Sequence, residues 1–154
     1  IIAVDRLATK EPLARQCGAT HFIDASKTDP VAAVRELTGG GAETTFEAVG
    51  DERVLAQTFG AARRGGRTVA IGLMHPDKLL AVPAVAFAAE EKVLMGSYMG
   101  SCVPQRDIPR FIDMYQSGAL PVDLLRSREI RLEEVNEGFD ALDQGEVVRQ
   151  VIRF

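Results

Sequence analysis

An acid that directly follows a fully apolar, β-branched run is well placed to hold something polar, and Asp5 follows Ile1-Ile2-Ala3-Val4 in this way. If the run is a buried parallel strand, the carboxylate emerges at the carboxyl edge of a sheet, where α/β proteins bind their ligands. In dinucleotide-binding folds such an acid accepts hydrogen bonds from the adenosine ribose hydroxyls. It also repels a 2′-phosphate, which favours NAD over NADP. A solvated acid closing a loop fits the residue, taken alone, equally well. Two further apolar runs end in glycine, at Val49-Gly50 and at Ile71-Gly72-Leu73. A strand end without a side chain lets a flat ligand approach the backbone, although plain turn chemistry explains each glycine singly. Two such ends on successive strands of one sheet point together at a ligand crevice.

Other chemistry is sparse. No G-x-G-x-x-G is present, and Gly39-Gly40-Gly41 reads as a turn between a helix and a strand. If Asp5 is a ribose acid, the phosphate loop lies about 20 residues before it, upstream of Ile1. The chain is therefore expected to open inside a longer pattern. His21 and His75 are isolated, and Cys17 and Cys102 are too far apart for a metal motif. His21 reads as a strand-edge side chain. His75, just past Gly72, fits a solvated loop or the neighbourhood of a cofactor. The two thiols read as reduced. No nucleophile elbow is present, so no catalytic residue and no metal ligand is assigned. Glu90-Glu91 and Glu133-Glu134 read as solvated faces.

The elements that must position these residues alternate. Ile1 to Val4 is the first strand. Thr9 is placed to cap a helix with Pro12 in its first turn and Gly18 as its stop. His21 to Ile23 is a strand. Asp29-Pro30 opens a helix that Gly39 ends. Thr44 to Val49 is a strand, Asp51 caps the next helix, and Gly65-Gly66 turn the chain into strand Thr68 to Ile71. A short helix over Val82 to Ala89, a strand from Val93 to Met99 and an amphipathic helix from Pro104 to Ser117 follow. Glu129 to Leu132 is a possible strand, Glu133 to Gln144 a helix, and Val147 to Phe154 a closing strand. Right-handed crossovers turn such a string into a doubly wound parallel sheet of the α/β class.

Composition agrees. Of 154 residues, 46% are hydrophobic and 26% charged, as in soluble globular proteins. Eighteen basic against 22 acidic residues give a net charge of −4, with no footprint for nucleic acid. No apolar run reaches the roughly 18 residues of a membrane span. With no visible signal peptide, the expected location is cytoplasmic.

The run Ile1 to Asp5, with Lys10 and Gly18-Ala19-Thr20, resembles the second βα unit of the medium-chain dehydrogenase/reductase family. Phe46-Glu47-Ala48-Val49-Gly50 resembles its fourth strand, and Ile71-Gly72-Leu73 the strand after it. Val135-Asn136-Glu137-Gly138-Phe139, Gly145-Glu146, Arg149 and Phe154 are similar to the end of the zinc-dependent alcohol dehydrogenase branch, including its class III, formaldehyde-oxidising members. The resemblance implies a Rossmann-type NAD domain at residues 1–100 that lacks its first strand, and a tail at 101–154 that packs toward a catalytic domain. It implies that Asp5 and Lys10 hold the adenosine ribose, that Val49 packs near the adenine-side ribose and pyrophosphate path, and that Gly50 belongs to the cofactor site. Ile71, Gly72 and Leu73 would flank the nicotinamide, Ser97, Tyr98 and Met99 would meet its carboxamide, and Arg149 would pair with the pyrophosphate. Leu73 and Tyr98 would also border an alcohol or aldehyde substrate. The resemblance further implies a homo-oligomer formed through strand 93–98, and a zinc whose ligands lie outside this sequence. Without a central first strand the sheet would be split, with two unpaired edges. A non-catalytic dimerisation module and a zinc-free quinone reductase are the alternative readings.

Overall fold

The computed structural model describes residues 1–154. Strand β1 (Ile2–Asp5) lies parallel to β2 (His21–Asp24), with Asp5 opposite Asp24. Helix α1 (Glu11–Gln16) connects them. A second parallel sheet has the order β3-β4-β5, from Ala42–Glu47, Ala62–Ala70 and Val93–Gly96. Helix α2 (Pro30–Thr38) leads into β3, α3 (Glu52–Ala61) joins β3 to β4, and α4 (Val85–Ala89) precedes β5. After α5 (Pro104–Gln116), strands β6 (Arg126–Ile130) and β7 (Arg149–Ile152) pair in parallel around α6 (Val135–Asp143). This is the expected α/β, Rossmann-type fold of parallel strands and crossover helices, and its sheet is divided: β1 and β3 share no ladder.

Local chemistry explains most boundaries. The Asp29 carboxylate accepts the Val31 N–H at 2.9 Å, with Pro30 at the first helical position and Gly39 ending α2. Asp51 accepts the Arg53 and Val54 N–H groups at 2.8 and 3.2 Å and so caps α3. Three expectations need correction. Thr9 caps nothing: it lies in a 3₁₀ turn, and α1 begins at Glu11 after Lys10. Strand β4 starts at Ala62, ahead of Gly65-Gly66: the two glycines turn the chain inside its bounds, in a bulge at residues 63–66 that has no partner in β3 before pairing resumes at Arg67. The first strand is not buried, since Val4 is 44% exposed on a strand with a neighbour on one side only.

The first two sheets meet through a helical layer. Ile23 of β2, Val34 of α2 and Ala61 of α3 form its buried centre, with Ile2 and Ala42 packed against it. Phe59 stacks obliquely on Phe87 at 5.2 Å. The C-terminal carbonyls of α3 are met by cations, as the helix dipole favours: buried Lys92 donates to Phe59 O at 3.2 Å, and Arg35 to Gly60 O at 2.8 Å. Lys92 also pairs with Glu90 at 3.1 Å, so Glu90 is not the free solvated acid expected of it.

Only 17 residues are buried, and the accessible surface is 11,013 Å². A self-contained globular chain of this mass exposes roughly 7,600 Å², so about 3,400 Å² is surface that a compact monomer would have covered.

Candidate functional site

Asp5 stands last in β1, at the carboxyl edge. One carboxylate oxygen accepts the Leu7 N–H at 2.9 Å, which bends the chain out of the strand. The other lies 3.4 Å from Lys10 Nζ. Both side chains are about one-third exposed, so the pair is accessible from solvent rather than sealed. A cleft of about 220 Å³ opens beside it, walled by Val4, Leu13, Phe22 and Leu125. Apolar walls with a few convergent polar groups suit a small organic ligand. The structure thus brings Asp5 and Lys10 together. The C-terminal segment reaches the same place: a Cβ on Gly145 would meet Leu7 Cδ1 at 2.7 Å and Lys10 Nζ at 3.5 Å.

The ends of β3 and β4 form a second focus. Val49-Gly50 and Ile71-Gly72-Leu73 lie just beyond those strands and touch through their backbones. A Cβ on Gly50, whose φ is +86°, would sit 2.8 Å from Leu73 O. A Cβ on Gly72 would fall on Gly50 N and lie 2.7 Å from Glu47 Oε2. Both glycines are required by close approach. Val49 and Leu73 present exposed apolar side chains, at 75% and 82%. Ser97 joins this edge by donating its N–H to Ala70 O at 2.9 Å. Beyond it, Tyr98 and Met99 are exposed, and Met99, Gly100 and Ser101 run in the left-handed region at φ +49°, +66° and +52°. Non-glycine residues there, Met99 and Ser101 on either side of Gly100, are strained, and the Ser97 and Ser101 hydroxyls lie 3.2 Å apart across the turn.

Arg149 opens β7 in the separate two-stranded sheet. Its side chain is exposed and donates only to Val148 O at 2.9 Å, with no carboxylate partner. It is not in contact with the other candidates. His75 is exposed and accepts the Asp77 N–H at 3.3 Å, and the His21 ring lies 3.0 Å from the Thr20 hydroxyl. No three His, Cys, Asp or Glu side chains converge on a point that could hold a metal ion. These residues therefore supply no zinc site, and no step is assigned to zinc here.

Residue-type reasoning passed over Glu47. It ends β3, is 1% exposed, and accepts the Val49 and Gly50 N–H groups, each at 2.7 Å. The signal was present: an acid inside an otherwise apolar strand end, three residues before a glycine. Asp51 follows directly, its carboxyl held well below the ordinary range by hydrogen bonds from the Arg53 guanidinium and from the backbone at the start of α3.

The zinc-binding dehydrogenase profile (ADH_zinc_N) matches residues 1–117. The chain is 38% identical over 156 residues to the NDMA-dependent alcohol dehydrogenase of Amycolatopsis methanolica, covering 99% of this chain and 42% of that protein. It is 31% identical over 163 residues to the class-3 alcohol dehydrogenase of Cereibacter sphaeroides, covering all of this chain and 43% of that one. The crystal structure of benzyl alcohol dehydrogenase from Acinetobacter calcoaceticus superposes with a TM-score of 0.94 at 30% identity, over 100% of this chain and 42% of that one. A zinc-binding dehydrogenase from Sinorhizobium meliloti, solved bound to NADP, gives 0.79 at 29% identity, over 88% and 40%. The chain thus spans about two fifths of the length of the relatives it matches. Sequence profile, relatives and superposed folds agree with the strand order and the glycine-lined edge: this chain belongs to the zinc-binding dehydrogenase family, on its alcohol dehydrogenase branch.

Proposed function

We propose that the chain is the nicotinamide-cofactor-binding part of an alcohol dehydrogenase that uses NAD. The carrying observation is the Asp5–Lys10 pair at the carboxyl edge of β1, 3.4 Å apart and accessible from solvent. A ribose diol donates to a carboxylate and accepts from an ammonium, so the pair suits both roles of those hydroxyls. The Asp5 charge opposes a 2′-phosphate, which favours NAD even though one structural neighbour was solved with NADP. The glycine-lined backbone of Gly50 and Gly72 leaves room for the pyrophosphate and nicotinamide end, with Val49 as the apolar wall on the pyrophosphate side and Ile71 and Leu73 as those beside the nicotinamide. Ser97, Tyr98 and Met99 supply the facing turn, and Arg149 supplies a planar fork of donors for the pyrophosphate.

When bound, the nicotinamide supplies the hydride acceptor for oxidation of a primary alcohol or aldehyde adduct. This chain's residues orient the cofactor and keep water from one face of it. Residues 1–100 form the cofactor domain in this reading, and residues 101–154 return toward a catalytic domain. β5 lies at the outer edge of its sheet, with Val93 and Met95 exposed, which supports a homo-oligomer joined by strand 93–98.

Calorimetric titration of the intact protein with NAD and NADP tests the reading. NAD is expected to bind more tightly than NADP. Asp5→Ala removes hydrogen bonds to a charged acceptor, worth about 1.5–3 kcal/mol, so NAD affinity falls roughly 10- to 100-fold while that for NADP falls less. Equal binding of both nucleotides, unchanged by Asp5→Ala, refutes it.

A further inference from the structure

Glu47 is the one residue that holds both cofactor-facing loops. Its main-chain oxygen accepts the Ile71 and Gly72 N–H groups at 2.8 and 3.0 Å. Its side-chain Oε1 accepts the Val49 and Gly50 N–H groups at 2.7 Å each. The end of β4 thus hangs on the backbone of Glu47, and the end of β3 curls around its carboxylate. The second oxygen, Oε2, is buried and receives no hydrogen bond. It packs where Gly72 has no Cβ. A buried carboxylate oxygen without a partner is a cost that few native positions carry. The cost is offset here by two short charge-assisted bonds, which fix a loop that no regular element fixes.

We infer that Glu47 is a positioning residue for the nicotinamide half of the cofactor site. The inference rests on the proposed cofactor reading and deepens it. Glu47 touches no cofactor itself. It interlocks with Gly50 and Gly72, so the Val49 and Leu73 walls keep one separation before ligand arrives, and the ordering is not left to be completed on binding. Nothing in this interlock involves the Asp5–Lys10 pair, so the adenosine half of the ligand is seated independently.

That independence supplies the test. NAD and AMP are titrated calorimetrically into the intact protein and two variants. Glu47→Met keeps the side-chain volume and removes both acceptors. Glu47→Gln keeps one oxygen able to accept both N–H groups. The expected result is that Glu47→Met weakens NAD about tenfold or more and leaves AMP, which ends before the pyrophosphate and is held chiefly by Asp5 and Lys10, within about threefold, as losing bonds to a charged acceptor at one end of the ligand requires. Glu47→Gln restores NAD to within about threefold of wild type. A residue that only filled the core would weaken both ligands together or leave Met and Gln alike, and either result overturns the inference. If Glu47→Met lacks native near-ultraviolet circular dichroism, Glu47→Leu, which also removes both acceptors, is read in its place. It must show the same selective loss of NAD, and equal loss of both ligands overturns the inference. A wild-type protein that binds neither ligand refutes the cofactor reading and the inference with it. A wild type that binds both, with variants that do not separate them, refutes the inference alone.

Discussion

Single carboxylates close the turns of this chain, and their local partners make them sensitive to acid. Asp24, at the end of β2, is pushed down to about 2 by hydrogen bonds from the Ser26 hydroxyl and Lys27 and from the Ser26 backbone. Asp107, in the first turns of α5, is pushed down to about 2, first by the Arg106 guanidinium and then by the Val103 N–H. Asp51 is displaced in the same direction. In the unfolded chain these acids titrate near the ordinary 3.8. Their stabilising contribution is therefore complete above about pH 4 and is lost as pH falls through about 2. Urea midpoints of the intact protein are expected to fall steadily from pH 4 to pH 2, and Asp107→Asn is expected to flatten that slope. A slope unchanged by Asp107→Asn would show that this acid is not linked to folding. Asp5 was legible from sequence because an acid ending an apolar run has a geometric meaning. The acid at Glu47 was visible too, but not its use, which lies in four backbone N–H groups that come together only when two loops meet.

At the level of elements, legibility followed the strength of local signals. Asp29-Pro30 and Asp51 were readable as helix starts because a side chain acting on the backbone two residues ahead needs no tertiary context. Helix α5 was readable from Pro104 to its end near Gly118 because proline suits the first helical position and an apolar stripe follows it. Thr9 failed as a cap because the chain there tightens into a 3₁₀ turn around the Asp5 and Lys10 contact, a tertiary cause. Gly65-Gly66 were readable as a turn, with Gly65 at φ +66°, but the pairing of Ala62 with Ala42 ahead of them, across a bulge at residues 63–66, is something no local propensity encodes. Lys92 reads in sequence as one more surface lysine. Its burial follows from the unmet carbonyls at the end of α3 and from the Phe59 ring, whose centroid lies 5.1 Å from its ammonium. The candidate site divides in the same way. The strand-end residues Asp5, Val49, Gly50, Ile71, Gly72 and Leu73 were placed by pattern. Arg149 was placed by resemblance, and the structure leaves it in a separate sheet and in contact with none of them.

For the whole molecule, the division of the strands into separate sheets, β1-β2, β3-β4-β5 and β6-β7, governs behaviour. Two parallel edges, at β1 and β3, carry backbone groups with no ladder partner on one side, and Val4 and Phe46 beside them are exposed, Phe46 at 62%. With about 3,400 Å² of surface beyond that of a compact chain, these 154 residues taken alone are expected to melt over a broad range and to bind a hydrophobic dye. A sharp cooperative transition in calorimetry would contradict this. Unpaired edges of this kind invite a further strand, and seating one between β1 and β3 would bring the Asp5 pair and the Glu47 loops to opposite sides of a single crevice. The central claim, that this crevice seats a dinucleotide with its adenosine ribose on Asp5, is tested most directly by a crystal structure of the intact protein with NAD bound. The account predicts a ribose hydroxyl within hydrogen-bond distance of the Asp5 carboxylate and the nicotinamide ring against Ile71 and Leu73. Electron density that places the ribose away from Asp5, or the nucleotide away from this edge, would contradict it.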